Sequence, residues 1–324
     1  MKNAVIILCF CLFSSCFNSS NELNKSLDVS IKNLEFIYEA EVESLNLHDL
    51  KKEYGYFWEV YSNNILNFPN DSTFLDSLAS FQKNSDYNEV YQSLKSVFSD
   101  MTSVENNLRS SIQNYNYYFP TKIVPSVITF YGGFNYPIAA TDSVIGIGLE
   151  MFLGKDFDHY KKLQHKYPIY MHQQFQKEYI SSVALKGWLQ LEFPSPNNSF
   201  LSQMIHAGRI QYILSKILPN HNDSIIMGYS DSQIQWCENN EMSIWSFFIE
   251  EDLLYSTKHE DIIKYLKPAP YSKGMPQNSP GQVGVWVGWQ IVKAYMNKFP
   301  DSSLQDLMKI NDAQYLLKKS KYKP

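Results

Sequence analysis

Along most of this chain, apolar residues recur every three or four positions, the period that places them on one face of a helix. Residues 31–47 carry Ile31, Leu34, Tyr38, Val42 and Leu45 at that spacing and predict a first helix. Residues 87–118 repeat it for longer. Tyr91, Leu94, Phe98, Met101, Val104, Leu108, Ile112 and Tyr115 form one stripe, and Pro120 closes it because proline cannot continue a helix. The period then changes. Val124-Pro125-Ser126-Val127-Ile128-Thr129-Phe130 is short and rich in β-branched residues, and Gly132-Gly133 interrupts it. Ala139-Ala140-Thr141-Asp142 reads as a turn and Val144-Ile145-Gly146-Ile147-Gly148-Leu149 as a second strand, giving a hairpin or two-strand unit with a long connection.

Helical spacing returns within 169–192 and 199–218, the second stretch ended by Pro219. Ser230-x-x-Gln233 is a capping box and opens a helix that runs to residue 254. Pro268, Pro270, Gly274, Pro276, Pro280 and Gly281 make 267–282 a long loop. Residues 283–298 form a helix in which Gly284 and Gly288 expose backbone for close packing, and Ser303 with Asp306 caps a short helix beyond it. Helices, two strands, then helices again predict an α+β fold, mostly helical with a small sheet.

The first residues break this pattern. Lys2 precedes an apolar run over 4–12, followed by Ser14-Ser15-Cys16. The run is too short for a membrane-spanning helix, which needs about 20 residues. It reads as a cleaved leader, and small residues before a cysteine make it a bacterial lipoprotein signal. On this reading 1–15 is removed, Cys16 accepts the lipid, and the polar stretch 16–30 is a tether. Residues 31–324 are then a single domain, with 267–282 an ordered excursion near a site. Of the four cysteines, Cys9 and Cys11 leave with the leader and Cys16 is lipidated. Cys237 alone cannot form an internal disulfide, so stability must come from a packed core, which a hydrophobic content of 44% permits. The net charge of −5 and the lack of a strong basic patch argue against nucleic acid as a partner. Lys318, Lys319, Lys321 and Lys323 read as a solvated helix end. The implied first partner is a membrane, reached through Cys16, with the domain facing the periplasm.

Two helices hold polar residues worth weighing. His206 lies on the line His206, Ile210, Ile213, Ile217, and Glu241 on the stripe Ile234, Cys237, Glu241, Ile244, Phe248. A carboxylate facing an apolar side is costly without a partner. The two could meet in a site, or each could be satisfied by a structural hydrogen bond. Zinc peptidases carry His-Glu-x-x-His on one helix, with the Glu as general base and a third ligand from a later helix. Laid over this chain, the template falls on Ser202, Gln203, His206 and Glu241. Serine is a poor zinc ligand and glutamine cannot accept a proton. The expectation is a degenerate metallopeptidase-like site with no metal, no cofactor and no catalytic residue. His259-Glu260-Asp261-Ile262-Ile263 lacks the second ligand, and Cys237 reads as a core thiol.

The chain also resembles the gliding motility lipoprotein GldB family of Bacteroidota. The resemblance is carried by Phe134-Asn135-Tyr136, Ala139-Ala140-Thr141-Asp142-Ser143, Gly146-Ile147-Gly148-Leu149-Glu150-Met151 and Lys186-Gly187-Trp188-Leu189. It continues through Leu201-Ser202-Gln203-Met204-Ile205, Trp236-Cys237-Glu238, Ile244-Trp245, Phe248-Ile249-Glu250 and Ser279-Pro280-Gly281. It ends with Gly288-Trp289-Gln290-Ile291-Val292 and Ser320-Lys321-Tyr322-Lys323-Pro324. The resemblance implies a zincin-like scaffold whose motif is commonly degenerate. It also implies a lipid-anchored role in gliding and in the type IX secretion machinery that gliding shares, with envelope or motility proteins as partners. Three functions follow as expectations: a non-catalytic binding or scaffolding component; an envelope hydrolase, peptidase-like, with non-standard residues; and a module whose cleft holds a lipid or envelope polymer, which an apolar pocket near 267–282 would favour.

Overall fold

The computed structural model describes residues 27–69, 71–196 and 199–324. Cys16, the leader and most of the expected tether lie outside the described residues. Two of residues 27–30, assigned to the tether by composition, pack on the domain. Val29 is buried, Leu27 lies against the core, and the Leu27 carbonyl accepts from Gln113 Nε2 at 2.9 Å.

The expected helix over 31–47 is not formed. Its first residues make strand β1 (Ile31–Asn33), followed by 3₁₀ turns at Glu35–Tyr38 and Val42–Ser44. The sheet outcompetes the helical spacing because β1 finds a parallel partner: Ile31 pairs with Val127, Asn33 with Thr129, and Leu34 N–H donates to the Thr129 carbonyl at 2.8 Å. Helices α1 (Leu47–Tyr54), α2 (Tyr56–Glu59, continued as a π turn over Val60–Ile65) and α3 (Phe74–Gln82) follow. The single helix expected over 87–118 is two, α4 (Ser85–Val97) and α5 (Thr102–Tyr118). Asp100 accounts for the break: its carboxylate accepts from Thr102 N–H at 2.8 Å, a local bond that competes with helix continuation. The apolar stripe crosses the break intact, since Phe98 and Met101 still pack on the core.

Strands β2 (Ser126–Phe130), β3 (Ile138–Ala140) and β4 (Val144–Gly148) complete a four-stranded sheet of order β1-β2-β4-β3. Both expected strands are present, as β2 and β4, but they run parallel and so form no hairpin with each other; β3, in their connection, pairs antiparallel with β4. Ala139 and Ala140, expected in a turn, belong to β3. The turn starts at Thr141, whose Oγ1 accepts from Val144 N–H at 3.1 Å. Both sheet faces are covered, as parallel pairing requires. Ile128 and Phe130 face the aromatic cluster of Phe57, Trp58, Tyr61 and Phe74, while Val127, Ile145 and Ile147 face the main core. Gly146 permits this arrangement, because a Cβ there would overlap the Phe57 ring.

The rest is helical: α6 (Asp158–Lys162), α7 (Ile180–Glu192), α8 (Phe200–Ile217), α9 (Asp223–Met227) and α10 (Asp231–Glu250). Then come α11 (His259–Leu266), α12 (Val283–Lys298), α13 (Leu304–Lys309) and α14 (Ala313–Ser320). The helix expected within 169–192 is α7, preceded by 3₁₀ turns at Ile169–Gln174 and Lys177–Tyr179. The capping box forms in full at α10, with Gln233 N–H donating to Ser230 Oγ and Ser230 N–H to Gln233 Oε1. That helix ends at Glu250, four residues short of the expected end. Helices α8 and α12 approach backbone to backbone. A Cβ on Gly208 would overlap the Gly288 peptide, and one on Gly288 would overlap the Met204 carbonyl. The fold is thus α+β, helix-rich with a small mixed sheet.

Candidate functional site

The close α8–α12 packing fixes one wall of a cleft of about 280 Å³. Its other walls come from α7, α11 and residues on either side of the long loop. Ser199 starts α8 by accepting from Ser202 N–H at 3.4 Å, which sets the phase of the helix. That phase turns Gln203 and His206 toward the cleft and leaves Ser202 out of its lining. Glu241 is not part of the lining either.

His206 is 6% exposed, and its Nε2 lies 3.0 Å from the Phe193 carbonyl. A carbonyl only accepts, so that nitrogen carries the proton. Burial pulls the imidazole down to about 4, and the positive charge of Arg209 pulls the same way. The ring is therefore neutral at pH 7. Arg209 is itself buried and reaches away to the Ile310 carbonyl at 2.8 Å. Glu241 is half-buried on α10 and accepts from the Tyr322 hydroxyl at 2.6 Å. His206 and Glu241 thus have separate partners, Phe193 and Tyr322. Among the described residues, no group of three or more His, Cys, Asp or Glu side chains is placed to hold a metal ion.

The cleft's charge comes from residues the helical spacing did not single out. Lys186 on α7 and Lys267 after α11 both line it, and no Asp or Glu does. The Lys186 side chain is partly buried. Burial pushes it down to about 8, and the like charge of Lys267 adds to the shift. Gln211 meets it from α8. With the amide turned to satisfy both neighbours, its nitrogen donates to the Ile226 carbonyl at 3.0 Å and its oxygen accepts from Lys186 Nζ at 2.9 Å. The available signal was a lysine inside the apolar run Val183-Ala184-Leu185-Lys186-Gly187-Trp188-Leu189. Two cavities lie near 267–282. Lys267 and Gln282 line this cleft, while Pro268, Ala269 and Gly281 line a second cavity of about 160 Å³ with Phe152, Phe175 and Tyr229.

A further buried carboxyl lies apart, in the 3₁₀ turn Leu149–Phe152 after β4. Glu150 is fully buried, and its Oε1 accepts from Gly132 N–H at 2.9 Å and Phe134 N–H at 3.0 Å. Positive φ at Gly133 and Phe134 curls the loop around it. Its Oε2 has no partner among the described residues. Burial pushes this carboxyl up to about 7, against the opposing pull of the two N–H donors. Cys237 is fully buried, as expected of a core thiol, and burial raises its pKa well above the usual thiol range.

Fold and cleft together define a helix-rich α+β protein with a lysine-lined cleft between its helices. The family model of the gliding motility protein GldB matches residues 18–324, and the chain belongs to that lipoprotein family. Membership assigns it a role in gliding motility. No curated protein and no solved structure matches the chain. No helix among the described residues is long and apolar enough to cross a membrane.

Proposed function

We propose that this protein is a lipid-anchored, non-catalytic component of the gliding apparatus that binds or scaffolds other envelope proteins from the periplasmic side. The reading extends to the type IX secretion machinery associated with gliding. The observation that carries it is the separation of His206 from Glu241. The His206 imidazole is neutral and tied to the Phe193 carbonyl, and the Glu241 carboxylate is engaged by Tyr322. Gln203 occupies the position where a peptidase template would need a general base, and an amide cannot take a proton there. On this reading the domain keeps a zincin-like scaffold without its chemistry. Cys16, the lipid-accepting residue, holds the folded domain at a membrane.

Metal analysis of the full lipidated chain, purified without chelator, tests this reading. The expected result is zinc well below one equivalent per chain. One tightly held zinc per chain, whose removal by a chelator abolishes function, would overturn the proposal and favour an envelope hydrolase.

A further inference from the structure

We propose that the cleft between α7, α8 and α11 binds a small organic anion, with the Lys186 and Lys267 ammonium groups as its counter-charges. Desolvated ammonium groups in folded proteins are normally paired with carboxylates, because an unpaired charge removed from water is costly. Lys186 has no such pair among the described residues; its polar partner is the neutral Gln211 amide. The charge that acts on it is of the same sign, from Lys267. No acidic side chain lines the cleft. A partly buried, desolvated cation, a second and exposed cation lining the same cleft, and no carboxylate in that lining leave the charge to be balanced by a ligand.

The surroundings describe that ligand further. The Ile226 carbonyl holds the Gln211 nitrogen, so the amide oxygen is fixed toward Lys186 and favours its charged form. Ile210, Ile262, Leu266 and Val285 supply an apolar wall, and Gln203 adds a polar one. A cleft of about 280 Å³ suits a molecule of modest size with an anionic head and a short apolar body. The inference concerns binding alone and stands whether or not the protein scaffolds partners.

Isothermal titration of the full lipidated chain in a nonionic detergent tests it, with n-butyl phosphate and butyrate as the anionic probes and n-butanol as the neutral control. The expected result is saturable single-site binding of at least one anion and none of the alcohol. Lys186→Met should weaken that binding at least about thirtyfold, the effect of stranding one partner of a desolvated charge pair. Gln211→Glu places a carboxylate against Lys186, at the cost of the amide's bond to the Ile226 carbonyl, and serves where Lys186→Met does not fold; it should abolish anion binding. No saturable binding of either anion, or undiminished binding in folded Gln211→Glu protein, overturns the proposal.

Discussion

The Tyr322 hydroxyl donates to Glu241 Oε1 across 2.6 Å, fastening the segment after α14 to the middle of α10. The Tyr322 ring also meets Trp245 edge-on, with centroids 5.4 Å apart. Removing the hydroxyl leaves a half-buried carboxylate short of a donor. Tyr322→Phe should cost about 1–3 kcal/mol in urea unfolding. Glu241→Gln keeps an acceptor for the same hydroxyl and should cost less. Equal losses in the two variants would mean that the bond itself contributes little.

The α8–α12 contact makes a sharper demand. Gly288 meets the Met204 carbonyl and Gly208 meets the Gly288 peptide, so neither site has room for a methyl group. Both contacts are with backbone, which cannot rotate aside. Gly288→Ala should destabilise the protein by about 1–3 kcal/mol or more, despite the higher helix propensity of alanine. An unchanged urea midpoint would contradict the packing described for these helices.

Glu150 gives a pH dependence whose sign follows from its burial. Its folded-state pKa, about 7, lies above the ordinary value of 4.5. Between those values the folded state holds a proton that the unfolded state releases. Its contribution is therefore fully present below pH 4.5 and lost as pH rises through 7. The groups acting on it include the Glu35 carboxylate, which raises its pKa, and the Gly132 and Phe134 amides, which lower it. Tyr61, Tyr131, Tyr160, Tyr167 and Lys166 also feel its charge. Exposed Asp71, Asp100, Asp158 and Asp306 have lowered pKa values and contribute the opposite slope at lower pH, so the difference between proteins is the readout. Relative to Glu150→Gln, the wild type should lose roughly 3 kcal/mol of stability across this window. Parallel stability curves for the two proteins would show that Glu150 does not carry the dependence.

Cys16 carries the proposed anchor. Cys16→Ser should abolish incorporation of labelled fatty acid and move the protein from the membrane pellet to the soluble fraction. Continued labelling and pelleting would place the attachment elsewhere.

How far the sequence could be read depended on whether local signals acted alone. The α10 cap and helix α12 were legible because Ser230, Gln233 and the glycine-spaced stripe 283–298 act within one or two turns. Strand β1 was not, since Ile31–Asn33 becomes a strand only by pairing with β2, nearly a hundred residues later. The break between α4 and α5 hid because the apolar stripe runs through it, while the deciding bond is made by one short side chain, Asp100. At the candidate site, the spacing correctly placed His206 on a buried face. It could not place Glu241 beside Tyr322 or Lys186 beside Gln211, because each contact joins two different parts of the fold and depends on how they pack. Nor could it find Glu150, whose partners lie in the loop after β2.

The proposed function requires that His206 and Glu241 perform no chemistry. Cells whose only copy carries His206→Gln with Glu241→Gln give the most direct test, because each amide preserves a structural bond while removing acid–base and metal-binding capacity. The measurement is gliding speed at matched protein level and membrane localisation. The account predicts wild-type gliding. Loss of gliding with the variant present in normal amount and in the right place would contradict it.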